Sequence, residues 1–160
     1  MSVITERGPD ARPVARNPGH GRCVVCGSDN QRGLNLAFRQ GEDGWVEATL
    51  NGDESLQGYA RLMHGGIISL LLDAAMTHCL FAHGYAGVTA TLEIKFRHPV
   101  TVDAPVRVRA RLVRSASSAH QLRAELLQNG RVRATANALF VHRPALVSQD
   151  VGSCPVCPRE

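Results

Sequence analysis

The sequence predicts an α+β domain in which one antiparallel sheet wraps around a single buried helix. Residues 65–82 are apolar on nearly every side of a helix, with Gly84 placed to end it. The segments after this helix alternate apolar and polar residues, as strands with one buried face do. Asn129-Gly130 divides the last two segments at a typical hairpin turn. Because so apolar a helix must be covered, a sheet with one apolar face is the simplest partner for it.

The elements follow this plan along the chain. Residues 1–22, rich in proline, glycine and arginine, are expected to form a flexible arm before a domain at 23–145. Within that domain, alternation at 34–38, a turn at 41–44 and a strand at 45–50 precede a loop at 51–63. Four strands are predicted after the helix, at 88–97, 106–112, 119–128 and 131–142. Residues 146–160 are expected to form a tail that carries a cysteine pair.

Composition restricts the choice of partners. The chain has 160 residues, a net charge of +4 and Lys95 as its single lysine, so its basic character is too mild to indicate nucleic acid. The first residues hold no apolar segment of the signal-peptide kind. Asp73 and His78 interrupt the apolar helix, which argues against a membrane span. A cytoplasmic protein with neither membrane nor nucleic-acid partners is expected.

The helix begins with two glycines, Gly65 and Gly66, directly after His64. Glycine lowers helix stability by about 1 kcal/mol relative to alanine, but it leaves the first amide groups open to an anion or an oxyanion. Glycines are also common at helix starts without any such role.

Asp73 stands in the middle of the apolar helix, with Ser69 and Thr77 one turn away on the same face. A buried carboxylate is costly unless it is paired with an arginine, bound to water or used chemically. Eight residues separate Gly65 from Asp73, which is about 12 Å along a helix. Both groups can reach one carbonyl only if each comes from a different chain, so a catalytic role for both implies a dimer.

Two segments resemble the hotdog-fold acyl-CoA thioesterases of the phenylacetate-degradation type, in the 4-hydroxybenzoyl-CoA thioesterase superfamily. They are LQGYARLMHGGIISLLLDAAM at 56–76 and VTATLEIKFRHP at 88–99. The opening CVVCG at 23–27, with Gly33-Leu34, resembles one branch of the same family. The resemblance covers roughly residues 23–142 and implies the hotdog fold, in which a sheet wraps a central helix.

The resemblance also implies site residues. The catalytic carboxylate falls on Asp73, as general base or nucleophile, and the oxyanion amide falls on Gly65, with His64 and Gly66 shaping the turn. The remaining catalytic candidates are a helix hydroxyl, a strand hydroxyl and an amide side chain that helps to hold the thioester: Thr77, Thr89 and Gln57. Candidate acyl-pocket residues, for which a plain core role is the alternative, are Tyr59, Met63 and Phe81.

The implied function is hydrolysis of acyl-CoA to free acid and coenzyme A, without a catalytic cofactor, by a homodimer or a homotetramer built as a dimer of dimers. A non-catalytic acyl-CoA sensor or scaffold on the same fold is the alternative. A dehydratase is a weaker one, because no paired catalytic His and acidic residue is evident in the expected loop context.

Four of the five cysteines form two C-x-x-C pairs, Cys23/Cys26 and Cys154/Cys157. Four thiolates supply the closed tetrahedral set that zinc prefers, so one structural zinc ion is predicted to join the two ends of the domain. Two redox-active dithiols, or disulfides, are the alternatives.

Overall fold

The computed structural model describes residues 11–143, which form one helix and seven strands. The helix, α1, spans Gly65–Ala82. The strands are β1 (Arg12–Pro13), β2 (Arg39–Gln40), β3 (Val46–Leu50), β4 (Gly87–Phe96), β5 (Val106–Ser115), β6 (Ala119–Gln128) and β7 (Arg131–His142). Short 3₁₀ turns lie at Pro18–His20 and Glu54–Leu56.

All the strands belong to one antiparallel sheet in the order β1-β2-β3-β5-β6-β7-β4. Helix α1 packs against this sheet, with β5 and β6 at the centre of the contact. The predicted α+β architecture and the hairpin at Asn129-Gly130 are confirmed. Both turn residues have positive φ, 53° and 72°, which is the conformation that this residue pair tolerates well.

Helix α1 is covered over much of its surface. By length and hydropathy it could cross a membrane, but half of it is buried inside the protein. Its apolar side chains instead form the core with the inner face of the sheet. The fully buried large side chains of this core include Leu71, Leu72, Met76, Leu80, Leu122, Leu126 and Phe140.

The N-terminal part of the domain differs from the predicted pattern. No strand forms at 34–38, where the sequence predicts one, because Leu34 and Leu36 donate backbone hydrogen bonds to Val24 and Val25 instead, and β2 begins only at Arg39. Asn35 between them has a positive φ of 47°, which interrupts an extended run. Part of the segment predicted as an arm also pairs with the sheet, since β1 is hydrogen-bonded to β2.

Strand β4 ends the sheet as its outer strand, paired only with β7 among the described residues. Its apolar residues are less covered than alternation predicts: Val88 is 39% exposed and Phe96 57% exposed. A β-bulge lies between Thr89 and Thr91, where β4 has one more residue than β7. Bulges redirect nearby side chains and often lie beside functional sites. Strand β4 therefore presents an unpaired edge and a redirected segment close to the middle of α1.

Candidate active site

The start of α1 has one free amide. His64 is the N-cap, and its Nδ1 accepts a hydrogen bond of 2.8 Å from the Gly66 N–H. The His64 carbonyl accepts from Ile67 and Ile68. No hydrogen bond among the described residues uses the N–H of Gly65, and this residue is exposed. The arrangement leaves the Gly65 amide as the donor for an incoming oxygen at the positive end of the helix dipole.

Phe96 defines one wall beside this amide. A Cβ built on Gly65 would lie 3.7 Å from Cε1 of Phe96, an ordinary van der Waals contact. Glycine is thus not required here to avoid a collision. The alternation of residues along β4 predicts that Phe96 is buried. The structure instead places it exposed, beside the N-terminus of α1.

Asp73 lies at the middle of α1, partly buried, beside the edge strand. Thr89 Oγ1 donates a hydrogen bond of 2.6 Å to Asp73 Oδ1. This distance is typical of a strong hydroxyl–carboxylate bond. The structure therefore brings together two of the residues that the resemblance implies, one from the helix and one from β4.

The two hydroxyl groups on α1 near Asp73 donate hydrogen bonds to the helix backbone. Thr77 Oγ1 donates to the carbonyl of Asp73 at 3.1 Å, and Ser69 Oγ donates to the carbonyl of Gly65 at 2.9 Å. These are local bonds to the residue four positions earlier. Thr77 therefore contacts the main chain of Asp73, whereas Thr89 contacts its carboxylate.

Gln57 lies in the loop before the helix. Its Oε1 accepts a hydrogen bond of 3.0 Å from the N–H of Arg61, which has a positive φ of 66°. The side chain of Gln57 thus supports the loop conformation. The same loop is joined to the helix start, because His64 donates its N–H to the carbonyl of Leu56.

The three candidate pocket residues do not come together within one chain. Tyr59 is 84% exposed, whereas Met63 is buried in the core. Phe81 lies near the other end of α1, about 24 Å from Gly65 along the helix axis. Its ring packs at 4.9 Å from that of His20 and 5.3 Å from that of His78. A pocket that uses all three would need surfaces from more than one chain.

A second cluster of reactive side chains lies at that far end of α1. The ligand atoms of His20, Cys23 and Cys26 all lie within 4.8 Å of one another. Burial, followed by the hydrogen bond and charge of Cys23, raises the pKa of the Cys26 thiol to about 12, and burial lowers the pKa of His20. Predicted ligands Cys154 and Cys157 lie outside the described residues. His20 was missed by sequence reasoning, although its position three residues before Cys23 is a visible signal.

Comparison with known proteins finds a family model that matches a little less than half of the chain. The chain matches the model of the thioesterase superfamily over residues 61–135, from the loop before α1 into β7. No curated protein matches the sequence.

Solved structures share the fold. One thioesterase superfamily protein has a TM-score of 0.68 at 24% identity, over 84% of this chain and 68% of its own. A phenylacetic acid degradation-related protein of Ralstonia eutropha has a TM-score of 0.61 at 25% identity, over 68% of this chain and 85% of its own. A hypothetical thioesterase of Streptococcus pneumoniae, solved with coenzyme A, has a TM-score of 0.63 at 20% identity, over 68% of this chain and 88% of its own. The family match and the shared fold together confirm the resemblance to the hotdog-fold thioesterases.

Proposed function

We propose that this protein is an acyl-CoA thioesterase whose active site combines the Gly65 amide of one chain with the Asp73 carboxylate of a second. The observation that carries the proposal is the 2.6 Å hydrogen bond from Thr89 to Asp73, together with the free amide of Gly65. A carboxylate held in one orientation and an unpaired N–H at a helix start are the two groups that thioester hydrolysis requires.

The reaction follows from these two groups. The thioester carbonyl oxygen accepts a hydrogen bond from the Gly65 N–H, which stabilises the negative charge that develops on that oxygen. Asp73 either takes a proton from the attacking water or attacks the carbonyl carbon itself, giving an anhydride that water then hydrolyses. In both routes the C–S bond breaks, coenzyme A leaves as a thiolate that takes up a proton, and the acyl group leaves as the free acid.

The need for two chains rests on distance. Gly65 and Asp73 are about 12 Å apart along α1, too far for both to contact one carbonyl group. The free edge of β4 lies next to Gly65 and Asp73. With Val88 and Phe96 exposed, it offers a surface for a second copy of the chain. Pairing through this edge would extend the sheet, cover Phe96 and place a second α1 beside the first. A dimer is the smallest unit that completes the site, and a dimer of dimers would contain it too.

Coenzyme A as the carrier of the acyl group is supported by relatives that share the fold. The Streptococcus pneumoniae protein was solved with coenzyme A, and a Streptococcus mutans protein of similar fold, with a TM-score of 0.63, was solved with acetyl CoA.

The experiment measures thiol release from a panel of short, aromatic and long acyl-CoAs by the purified protein and its Asp73→Asn variant. We expect turnover of at least one substrate and a loss of about 1,000-fold in kcat for the variant, since its amide is neither base nor nucleophile. Asp43→Asn is the matched control, because Asp43 accepts a hydrogen bond in an exposed turn that asparagine also supports.

Binding of acyl-CoA without any turnover by the wild type would favour the non-catalytic sensor instead. Turnover by Asp73→Asn at the wild-type rate would refute the assignment of the carboxylate.

A further inference from the structure

The N-terminal cluster of His20, Cys23 and Cys26 takes no part in the proposed thioesterase reaction. Phe81 and His78 contact it from α1, at the end of the helix opposite Gly65. Phe81, against which His20 packs, lies eight residues or about 12 Å from Asp73 along the helix. The cluster combines an imidazole and two thiols, which are soft and borderline ligands suited to zinc.

The distances fit a tetrahedral ion. Cys26 Sγ lies 3.6 Å from His20 Nδ1. Zinc bonds of about 2.3 Å to sulfur and 2.0–2.1 Å to nitrogen, at a tetrahedral angle, place those two atoms roughly 3.6 Å apart. All three ligand atoms lie within 4.8 Å of one another, so a small contraction brings them onto one ion.

The backbone around the cysteines is shaped to hold them. Val25 directs its N–H at Cys23 Sγ over 3.4 Å, and Gly27 donates to the Cys23 carbonyl at 2.9 Å. A Cβ on Gly27 would lie 2.5 Å from both the Cys23 nitrogen and the Gly21 oxygen, so this tight turn requires glycine. N–H groups directed at sulfur stabilise a thiolate, which is the form that binds a metal.

The turn is also fixed to the domain. Val24 and Val25 accept backbone hydrogen bonds from Leu34 and Leu36, and Cys26 is fully buried. On the other side, the ring of His20 stands edge-on to Phe81. The ligands therefore come preassembled from a loop that is anchored independently of any ion.

We propose that His20, Cys23 and Cys26 are three ligands of one structural zinc ion that clamps the N-terminal segment onto the end of α1. His20 binds through Nδ1, in the tautomer that keeps its proton on Nε2. The fourth position is open to a further ligand, and the proposal does not depend on which group supplies it. This assignment adds His20 to the set predicted from the sequence and is independent of the proposed thioesterase activity.

The test uses the full chain, purified under reducing conditions, with zinc content measured by mass spectrometry and affinity measured by titrating the metal-free protein with Zn²⁺. We expect one zinc per chain. His20→Phe keeps a ring against Phe81 but removes the ligand nitrogen, and we expect it to lower zinc affinity at least tenfold with an unchanged circular dichroism spectrum.

His98→Phe is the matched control, because His98 is exposed and lies outside the cluster. Titration with Co²⁺ gives a second readout: the thiolate charge-transfer band should be present in the wild type, weaker in Cys23→Ser and in Cys26→Ser, and absent when both cysteines are replaced. Cys79→Ala should retain the band, since Cys79 is buried in the core and is not one of the three clustered ligands.

Two results would overturn the proposal. The first is a His20→Phe variant that binds Zn²⁺ as tightly as the wild type, with binding lost instead in a Cys154→Ser/Cys157→Ser variant. The second is a metal-free wild type in which Zn²⁺ does not bind and Cys23 and Cys26 titrate as a reversible dithiol pair.

Discussion

Thr89 Oγ1 donates a 2.6 Å hydrogen bond to Oδ1 of Asp73, joining the outer strand of the sheet to the middle of the central helix. The bond fixes one carboxylate oxygen. The other, Oδ2, has no hydrogen-bond partner among the described residues and remains available to a water molecule or a thioester. Because Thr89 acts through Asp73, we regard it as a positioning residue for the proposed hydrolysis.

Replacing Thr89 with valine should remove this bond while preserving the branched shape that suits a strand. We expect kcat to fall about 10- to 100-fold with little change in KM or in thermal stability. Thr89→Ser should recover most of the loss, because serine retains the hydroxyl. Steady-state kinetics on the best acyl-CoA substrate provide the measurement, and a valine variant with an unchanged kcat would contradict the role.

The sequence predicts the helix and the last four strands well because their hydrophobic periodicity directly reflects burial. It does not predict the pairing of Thr89 with Asp73, since this depends on the order of strands in the sheet and on the bulge after Thr89. Leu34 and Leu36 alternate like strand residues, yet their N–H groups bond to the carbonyls of Val24 and Val25, between the two cysteines. The sequence shows His20 three residues before Cys23, but a single histidine in a polar segment has no periodicity, and the fold is needed to show that it faces the two thiols.

The Gly65 amide can be removed without deleting a side chain. Gly65 occupies the first helical position, where proline is tolerated, and His64 has φ −62° and ψ 135°, a conformation compatible with a following proline. Gly65→Pro should therefore keep α1 intact and lower kcat about 100-fold or more, by removing the oxyanion donor.

Gly65→Ala is the matched control for this variant. Its Cβ meets only Phe96, at 3.7 Å, and its N–H is retained, so we expect activity within about fivefold of the wild type. Equal activity of the proline and alanine variants would show that this amide takes no part in the reaction.

A shared site makes a quantitative prediction for mixed chains. Asp73→Asn and Gly65→Pro should each be inactive as homodimers, but a heterodimer keeps one intact site, formed by Gly65 of one chain and Asp73 of the other. After unfolding and refolding an equal mixture, about one quarter of the wild-type activity should return, because half of the dimers are mixed and each has one working site of two.

Light scattering on the same samples checks that dimers have formed. If dimers shown to be mixed recover no activity, Gly65 and Asp73 do not share one active site. A fully active monomer would also refute the shared site.

His120 gives the fold a specific dependence on pH. It is buried on β6, its ring stacks on Tyr85 at 4.4 Å, and its Nδ1 lies 2.9 Å from Ser115 Oγ on β5. Its Nε2 is buried and has no hydrogen-bond partner within residues 11–143, and the ring of His142 on β7 lies 5.8 Å away. Burial, and then the neighbouring charge of His142, lowers the pKa of His120 below its ordinary value of 6.5.

The sign of the effect follows from proton binding. Below pH 6.5 the unfolded chain protonates this histidine, whereas the folded protein keeps it neutral, so the free energy of unfolding must decrease as pH falls from 6.5 towards the lowered pKa. The contribution of one proton is at most about 1.4 kcal/mol per pH unit, and it vanishes well above pH 6.5. His120→Phe keeps an aromatic ring beside Tyr85 and should reduce the slope of this part of the stability profile, the remainder coming from His78, whose pKa burial lowers to about 4. His98→Phe, at an exposed site, should leave the profile unchanged. Urea unfolding from pH 4.5 to 8 measures both slopes, and identical profiles for the wild type and His120→Phe would show that His120 does not contribute to the acid sensitivity of the fold.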